Sequence, residues 1–330
     1  MKYIHYINEL IKKTIDKSNY LVIFGQNIAA GSCLSGLTRG LKTNTQCMVI
    51  NSPNVENTQL GVGFGLMLNG VSSIFFMKQQ DFLLLGADHL VNTYNFVRQV
   101  NPNVSFTVFM IVVDKGYEGM QSSLNNCADF CSIARIPGYT INNKHDAERI
   151  IGEHLVSPGF RLIGVSQRLF PTEILTCDID GIIKHDEGTI QYCRGKDITI
   201  VCFNFSFPQG LGLRNKLRER GLESSLFTVN YVTSPKWKSI IDDAKVTKNI
   251  IILDDSRSEN LPCYYLLSQI LSEYEIKNKI VIKRDFSEKW YHPDAQEFVV
   301  NYDAIIDKLM AGRILKRYSV GVNQRDKPNE

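Results

Sequence analysis

The chain has 330 residues, 44% of them hydrophobic and 22% charged, and carries a formal net charge of +3 at pH 7. That length supports two domains with cores of their own. The near balance of 37 basic and 34 acidic side chains gives no nucleic-acid or membrane-surface signature, and no apolar run is long enough to span a bilayer.

In chain order, Tyr3, Ile4, Ile7, Leu10, Ile11 and Ile15 recur at helical spacing. They predict an amphipathic first helix rather than a cleavable leader, and the expected location is the cytoplasm. Residues 20–24 read as a buried strand closed by Gly25, residues 31–41 as a glycine-bearing turn with a short helix, and residues 47–50 as a second strand. This strand delivers the chain to a polar turn around Pro53 and a single carboxylate at Glu56. An apolar helix with Gly61, Gly63 and Gly65 follows and ends at Gly70. Glycines inside a helix cost stability relative to alanine, so the pattern predicts close backbone approach by another subunit or domain. Further on, residues 73–77 read as a strand, 81–98 as one long helix and 104–113 as the most apolar strand. The alternation predicts an α/β fold: mostly parallel sheets with helices on both faces, in two three-layer domains.

Between residues 177 and 196 the texture turns polar and glycine-punctuated, which reads as a linker between a domain of residues 1–176 and a second of residues 197–312. In the second domain, strands are expected at 198–203, 226–229, 249–253 and 279–282, with helices between them. Residues 313–330 form a polar, basic tail expected to be flexible. The eight cysteines are scattered through apolar contexts and are expected to stay reduced. Cys127 and Cys131 lack the spacing and the histidines of a zinc site, so no metal ligands are assigned.

Several stretches resemble, in collinear order, the transketolase superfamily of thiamine-diphosphate enzymes. The nearest likeness is to the beta subunit of the first component of 2-oxo-acid dehydrogenases and the C-terminal subunit of split transketolases. The likeness rests on Gly25-Gln26-Asn27, Gly36-Leu37-Thr38-Arg39-Gly40-Leu41, the Pro53 to Gly70 turn and helix, Asp81-Phe82, Ala87-Asp88 with Asn92, Gly119-Met120-Gln121-Ser122-Ser123, and Ile136-Pro137-Gly138. It implies a pyrimidine-binding domain followed by a transketolase C-terminal-like domain. It also implies that Glu56 hydrogen-bonds the cofactor's aminopyrimidine, that Gln79, Gln80 and Phe82 border that ring, and that Gln121 and Ser122 face the substrate. The superfamily holds the cofactor's diphosphate and Mg2+ through a Gly-Asp-Gly…Asn segment, and this chain has no Gly-Asp pair. The resemblance therefore implies an alpha-type partner carrying the pyrophosphate-binding domain, in a heterotetramer acting on a 2-oxo acid or a sugar.

Two features depart from the family. Its loop histidine falls on Ser122, and a hydroxyl cannot supply an imidazolium's charge. Gln79 and Gln80 stand where an aromatic stacks on the pyrimidine, leaving Phe82 or Phe76 as substitutes. Two alternatives stay open: the C-terminal subunit of a split transketolase in a biosynthetic pathway, and a structural or regulatory subunit that has lost the chemistry. Taken by itself, a lone Glu at a helix start also serves simply to complement the helix dipole.

Overall fold

The structure, a computed structural model, describes residues 1–115, 124–176, 184–233, 235–284 and 298–319. Helix α1 (Tyr3–Ile15) buries Tyr3, Ile4, Ile7, Ile11 and Ile15, the stripe its sequence spacing predicts. It lies over a sheet of six parallel strands in the order β2-β1-β3-β4-β6-β5. These are β1 (Leu21–Gly25), β2 (Cys47–Asn51), β3 (Ser72–Met77), β4 (Ser105–Val112), β5 (Gly138–Ile141) and β6 (Gly159–Ser166). One face is covered by α1 and α5 (Lys144–His154). The other is covered by α2 (Glu56–Leu68), α3 (Tyr94–Val100) and α4 (Cys127–Ala134).

A second six-stranded sheet has the order β12-β11-β9-β10-β8-β7. Its parallel strands are β9 (Ile198–Phe203), β10 (Ser224–Val229), β11 (Asn249–Asp254) and β12 (Asn278–Lys283). Between and after them come α6 (Phe207–Glu219), α7 (Lys238–Thr247), α8 (Cys263–Glu273) and α9 (Tyr302–Ser319), and apolar clusters fill both faces. Residues 184–193, inside the stretch expected to be a linker, form the antiparallel strands β7 (Lys184–Asp186) and β8 (Thr189–Cys193), with β8 paired to β10. The polar residues that disguise β8 face a built interior: every one of its five positions is buried. Among the described residues no helix is long and apolar enough to cross a membrane.

The long helix expected over 81–98 is instead a 3-10 segment (Gln80–Gly86), a π-helical turn (His89–Thr93) and α3. Close packing on α2 sets the break: a Cβ on Gly86 would come within 2.0 Å of Leu60 Cδ1. The α2 glycines also answer to this chain. A Cβ on Gly63 would lie 2.0 Å from Phe106 Cζ, in an aromatic cluster with Phe64 and Phe160. A Cβ on Gly65 would meet no atom of a neighbouring element within 4 Å. Gly63→Ala is therefore expected to cost about 1–3 kcal/mol by overpacking, and Gly65→Ala in the isolated chain to be neutral or to gain up to about 1 kcal/mol. Urea unfolding of the two variants checks the contrast, and equal effects would contradict it.

The two sheets meet through buried polar groups. Asp114 and Arg168 follow β4 and β6, whereas Phe205, Asp255 and Arg284 follow β9, β11 and β12. Arg168 Nη2 donates to Asp255 Oδ2 at 3.1 Å and to the Phe205 carbonyl at 2.9 Å, and lies 3.4 Å from Asp114 Oδ2. Arg284 donates from Nε to the Asp255 carbonyl and from Nη2 to the Asp114 carbonyl, both at 2.6 Å. Beside this seam, the Asp146 carboxylate on α5 accepts from Tyr192 Oη at 2.9 Å, Asn230 Nδ2 at 2.8 Å and the Asn142 N–H at 3.1 Å.

Burial pushes the Asp146 carboxyl up to about 6, against the lowering pull of Tyr192, Arg149 and the two asparagines. An acid whose pKa is raised on folding stabilises the fold fully below its unfolded value of 3.8, and that contribution is lost as pH rises through about 6. The stability that wild type holds over Asp146→Asn is thus expected to fall by roughly 1 kcal/mol between pH 5 and 7.5. Denaturant midpoints at the two pH values check this, and a constant difference would contradict it.

Candidate functional site

The carboxyl ends of parallel strands leave a crevice wherever neighbouring connections diverge, and in the first sheet this happens between β1 and β3. Three segments border it: residues 26–36 after β1, residues 52–56 after β2, and residues 78–82 after β3. Asn51 fixes the first two relative to each other, its Oδ1 accepting from the Ile28 N–H at 2.9 Å and the Ala29 N–H at 3.4 Å. Gln59 then holds the Pro53 turn from within α2, donating to Ser52 Oγ at 2.5 Å and the Pro53 carbonyl at 3.0 Å.

Glu56 is the first residue of α2, where a negative charge complements the helix dipole. Its relative exposure is 8%, yet its carboxylate makes no hydrogen bond or ion pair with any described residue. Gln79 is equally buried at 8%, and its carboxamide also has no partner among the described residues. Both side chains thus hold polar groups uncommitted to any described residue beside the same crevice.

The other expected ring neighbours are already engaged. Gln80 is fully buried, and its amide oxygen, turned toward α4, accepts from the N–H groups of Asn126 and Cys127 at 3.0 and 3.1 Å, capping that helix. Phe82 is half-buried against the cluster on the α2 side. Phe76 is fully buried with its ring centroid 5.4 Å from that of Phe109, which leaves it no free face for a ligand. Gln121 and Ser122 lie outside the described residues. Asp255 is spent on Arg168, and His89 hydrogen-bonds Thr93 Oγ1 through Nδ1 at 2.9 Å.

Sequence reasoning missed a cavity of about 280 Å3 at the same sheet edge, lined by Gln79, Lys78 and Gln167 with Ser32 and Ser35. One wall is a run of left-handed residues at φ 48° (Cys33), 51° (Leu34) and 60° (Ser35). Each non-glycine residue held so costs on the order of 1–3 kcal/mol, and surrounding bonds must hold it. Thr38 Oγ1 donates to the Ile28 carbonyl at 2.8 Å, and buried Asn8 of α1 donates to the Leu37 and Arg39 carbonyls at 2.9 and 3.1 Å. No sequence pattern signals this wall, because Cys-Leu-Ser is not a left-handed motif. The outer surface near Glu56 carries Leu84 and Leu85 at 59% and 58% exposure, and Asn57 Nδ2 is tied to the Leu85 carbonyl at 2.9 Å.

These two sheets, their order and this crevice define a transketolase-like α/β fold. No family model matches the chain. It is 19% identical over 259 residues to the mitochondrial pyruvate dehydrogenase E1 component subunit beta of Ascaris suum, covering 75% of this chain and 71% of that protein. Among solved structures, the chain is similar to a split-gene transketolase described as an inactive β4 tetramer: TM-score 0.70, 12% identity, 94% of this chain and 98% of that one. It is also similar to transketolase from Campylobacter jejuni, with TM-score 0.65 and 9% identity over 93% of this chain and 46% of that one.

Proposed function

We infer that this chain is the beta-type subunit of a heteromeric thiamine-diphosphate-dependent enzyme that cleaves or forms a carbon–carbon bond beside a carbonyl. The observation that carries the reading is Glu56, a largely buried residue at a helix start whose carboxylate has no partner among the described residues. It fits the aminopyrimidine end of the cofactor, whose ring nitrogen offers a proton-sharing hydrogen bond. When bound, the cofactor would supply a carbon nucleophile that adds to the substrate carbonyl and a cationic ring that takes up the electron pair left on that carbon when the neighbouring bond breaks. On this chain Glu56 binds and orients the aminopyrimidine and holds the shared proton, and Gln79 borders the ring. Gln80 and Phe82 support that edge from behind through α4 and the apolar cluster. Gln121 and Ser122 are assigned to the substrate side.

An alpha-type partner binds the diphosphate and Mg2+, and the assembly is a heterotetramer. Leu84, Leu85 and the uncrowded backbone at Gly65 suit the partner's surface. A cytoplasmic location is part of the same reading. The nearly end-to-end match with the split-gene chain favours a second reading within this class, the C-terminal subunit of a split transketolase. By that likeness, the chain alone is expected to be inactive.

The test is co-expression with a chain that carries Gly-Asp-Gly…Asn, followed by calorimetry of thiamine diphosphate with Mg2+. Binding by the complex, absent from either chain alone and weakened at least tenfold by Glu56→Ala, is expected. A well-formed complex that binds no cofactor would overturn the reading in favour of a structural or regulatory subunit, the outcome the Gln79 position motivates.

A further inference from the structure

A second cavity, of about 180 Å3, opens between the last turn of α1 and the edge strand β2. It shares no lining residue with the cavity beside Gln79, and Glu56 is not among its walls. Those walls are Ile23 of β1, Cys47 and Val49 of β2, and Leu41, all on the α1 face of the sheet. Burial, with the Asp16 carboxylate nearby, pushes the Cys47 thiol up to about 11, so the floor carries no charge at neutral pH. Apolar walls around open space forgo dispersion contacts that a hydrocarbon group restores. At roughly 30 Å3 for each water-sized group, the space takes about six non-hydrogen atoms.

The rim is polar and held in place. Residues 42–44 fold back along the edge of β2: Thr43 Oγ1 accepts from the Val49 N–H at 2.9 Å, and Asn44 Oδ1 accepts from the Gln46 and Cys47 N–H groups, both at 2.8 Å. Asn44 Nδ2 and the Lys42 ammonium, both on exposed residues of the rim, have no partner among the described residues. On the other element, Lys12 and Asp16 stand one helical turn apart, the spacing at which opposite charges pair, yet neither is in an ion pair among the described residues. Asp16 is also the C-cap of α1, where the helix's own carbonyl groups favour a cation. The rim therefore offers donors and positive charge at Lys12, Lys42 and Asn44, and a place for a positive group at Asp16.

We propose that this cavity binds a small aliphatic α-amino acid as its zwitterion. The ammonium group meets Asp16 and the end of α1, the carboxylate meets Lys12, Lys42 and Asn44, and the side chain fills the apolar space. A fatty acid of the same shape leaves Asp16 without a cation, and an alkylamine leaves the lysines without an anion. The site stands apart from the chemistry assigned to Glu56 and does not depend on it.

Calorimetric titration of the full chain tests this with four probes: L-leucine, its deaminated analogue 4-methylpentanoate, its decarboxylated analogue 3-methylbutylamine, and glycine, which lacks the hydrocarbon. L-leucine is expected to bind about tenfold or more tightly than each of the other three. Asp16→Asn is expected to remove its advantage over 4-methylpentanoate, and Lys42→Ala to narrow its advantage over 3-methylbutylamine. Both positions are exposed, so both variants keep the fold. Glu56→Ala and Gln79→Leu are expected to leave the affinity for leucine unchanged. Absence of leucine binding, or binding of either analogue as tight as that of leucine, would overturn the proposal. Unchanged leucine affinity in both Asp16→Asn and Lys42→Ala would overturn it as well, and a loss in Gln79→Leu instead would place the ligand in the crevice.

Discussion

In the assembled enzyme, Glu56→Ala is expected to lower turnover by roughly a thousandfold while leaving the chain's thermal midpoint nearly unchanged. The two halves of this expectation come from one observation. Glu56 has no hydrogen-bond or ion-pair partner among the described residues, so its removal breaks none of the contacts described in the fold. A group whose loss spares the fold and abolishes the reaction is held for the reaction. Glu56→Gln refines the point, because it keeps the shape and a hydrogen bond but cannot share a proton as a carboxyl does, and it is expected to fall near the alanine variant. Steady-state rates of the complex, with cofactor occupancy measured alongside, provide the check. Turnover within a few-fold of wild type at full occupancy would remove Glu56 from catalysis.

Asp255→Ala is expected to act in the opposite way, costing about 3–5 kcal/mol of stability. It leaves Arg168 and Arg284 in a buried seam without the carboxylate they share, and takes the acceptor from the Phe205 N–H at 2.9 Å. Burial raises the Asp255 carboxyl above its usual range, with Arg168 and Arg284 pulling it back, so the pairing, rather than the charge itself, supports the site. Equilibrium urea unfolding measures the loss. A cost below about 1 kcal/mol would mean that solvent reaches the seam and screens it.

Much of the first sheet was legible because its signals are local. The isoleucine stripe of α1, the β1 run closed by Gly25 and the turn into Glu56 each lie within a few residues. The β5–α5–β6 unit was not, and Arg161 is one reason. A charged residue in mid-strand argues against burial, yet Arg161 is 3% exposed, its guanidinium donating to the His154 carbonyl at 2.7 Å, the Gly159 carbonyl at 3.0 Å and the Pro158 carbonyl. Those acceptors exist only once α5 has turned back onto the sheet. Gln80 illustrates the same limit at the site. In sequence it reads as a ring contact, but Asn126, the N-cap of the helix it caps, lies 46 residues later. Gln79, its neighbour, differs in having no side-chain partner among the described residues.

The seam between the sheets also has a consequence for the order in which the chain becomes whole. Asp114 and its Arg284 partner are separated by 170 residues. A nascent chain that has emerged only through β6 holds Asp114 and Arg168 with the pairing to Asp255 and Arg284 still to come. The seam is therefore complete only when Arg284, directly after the final strand of the second sheet, has left the ribosome. A messenger truncated before that codon would yield a first half with most of its apolar core but an unfinished seam, a species for proteases to clear rather than a smaller working subunit.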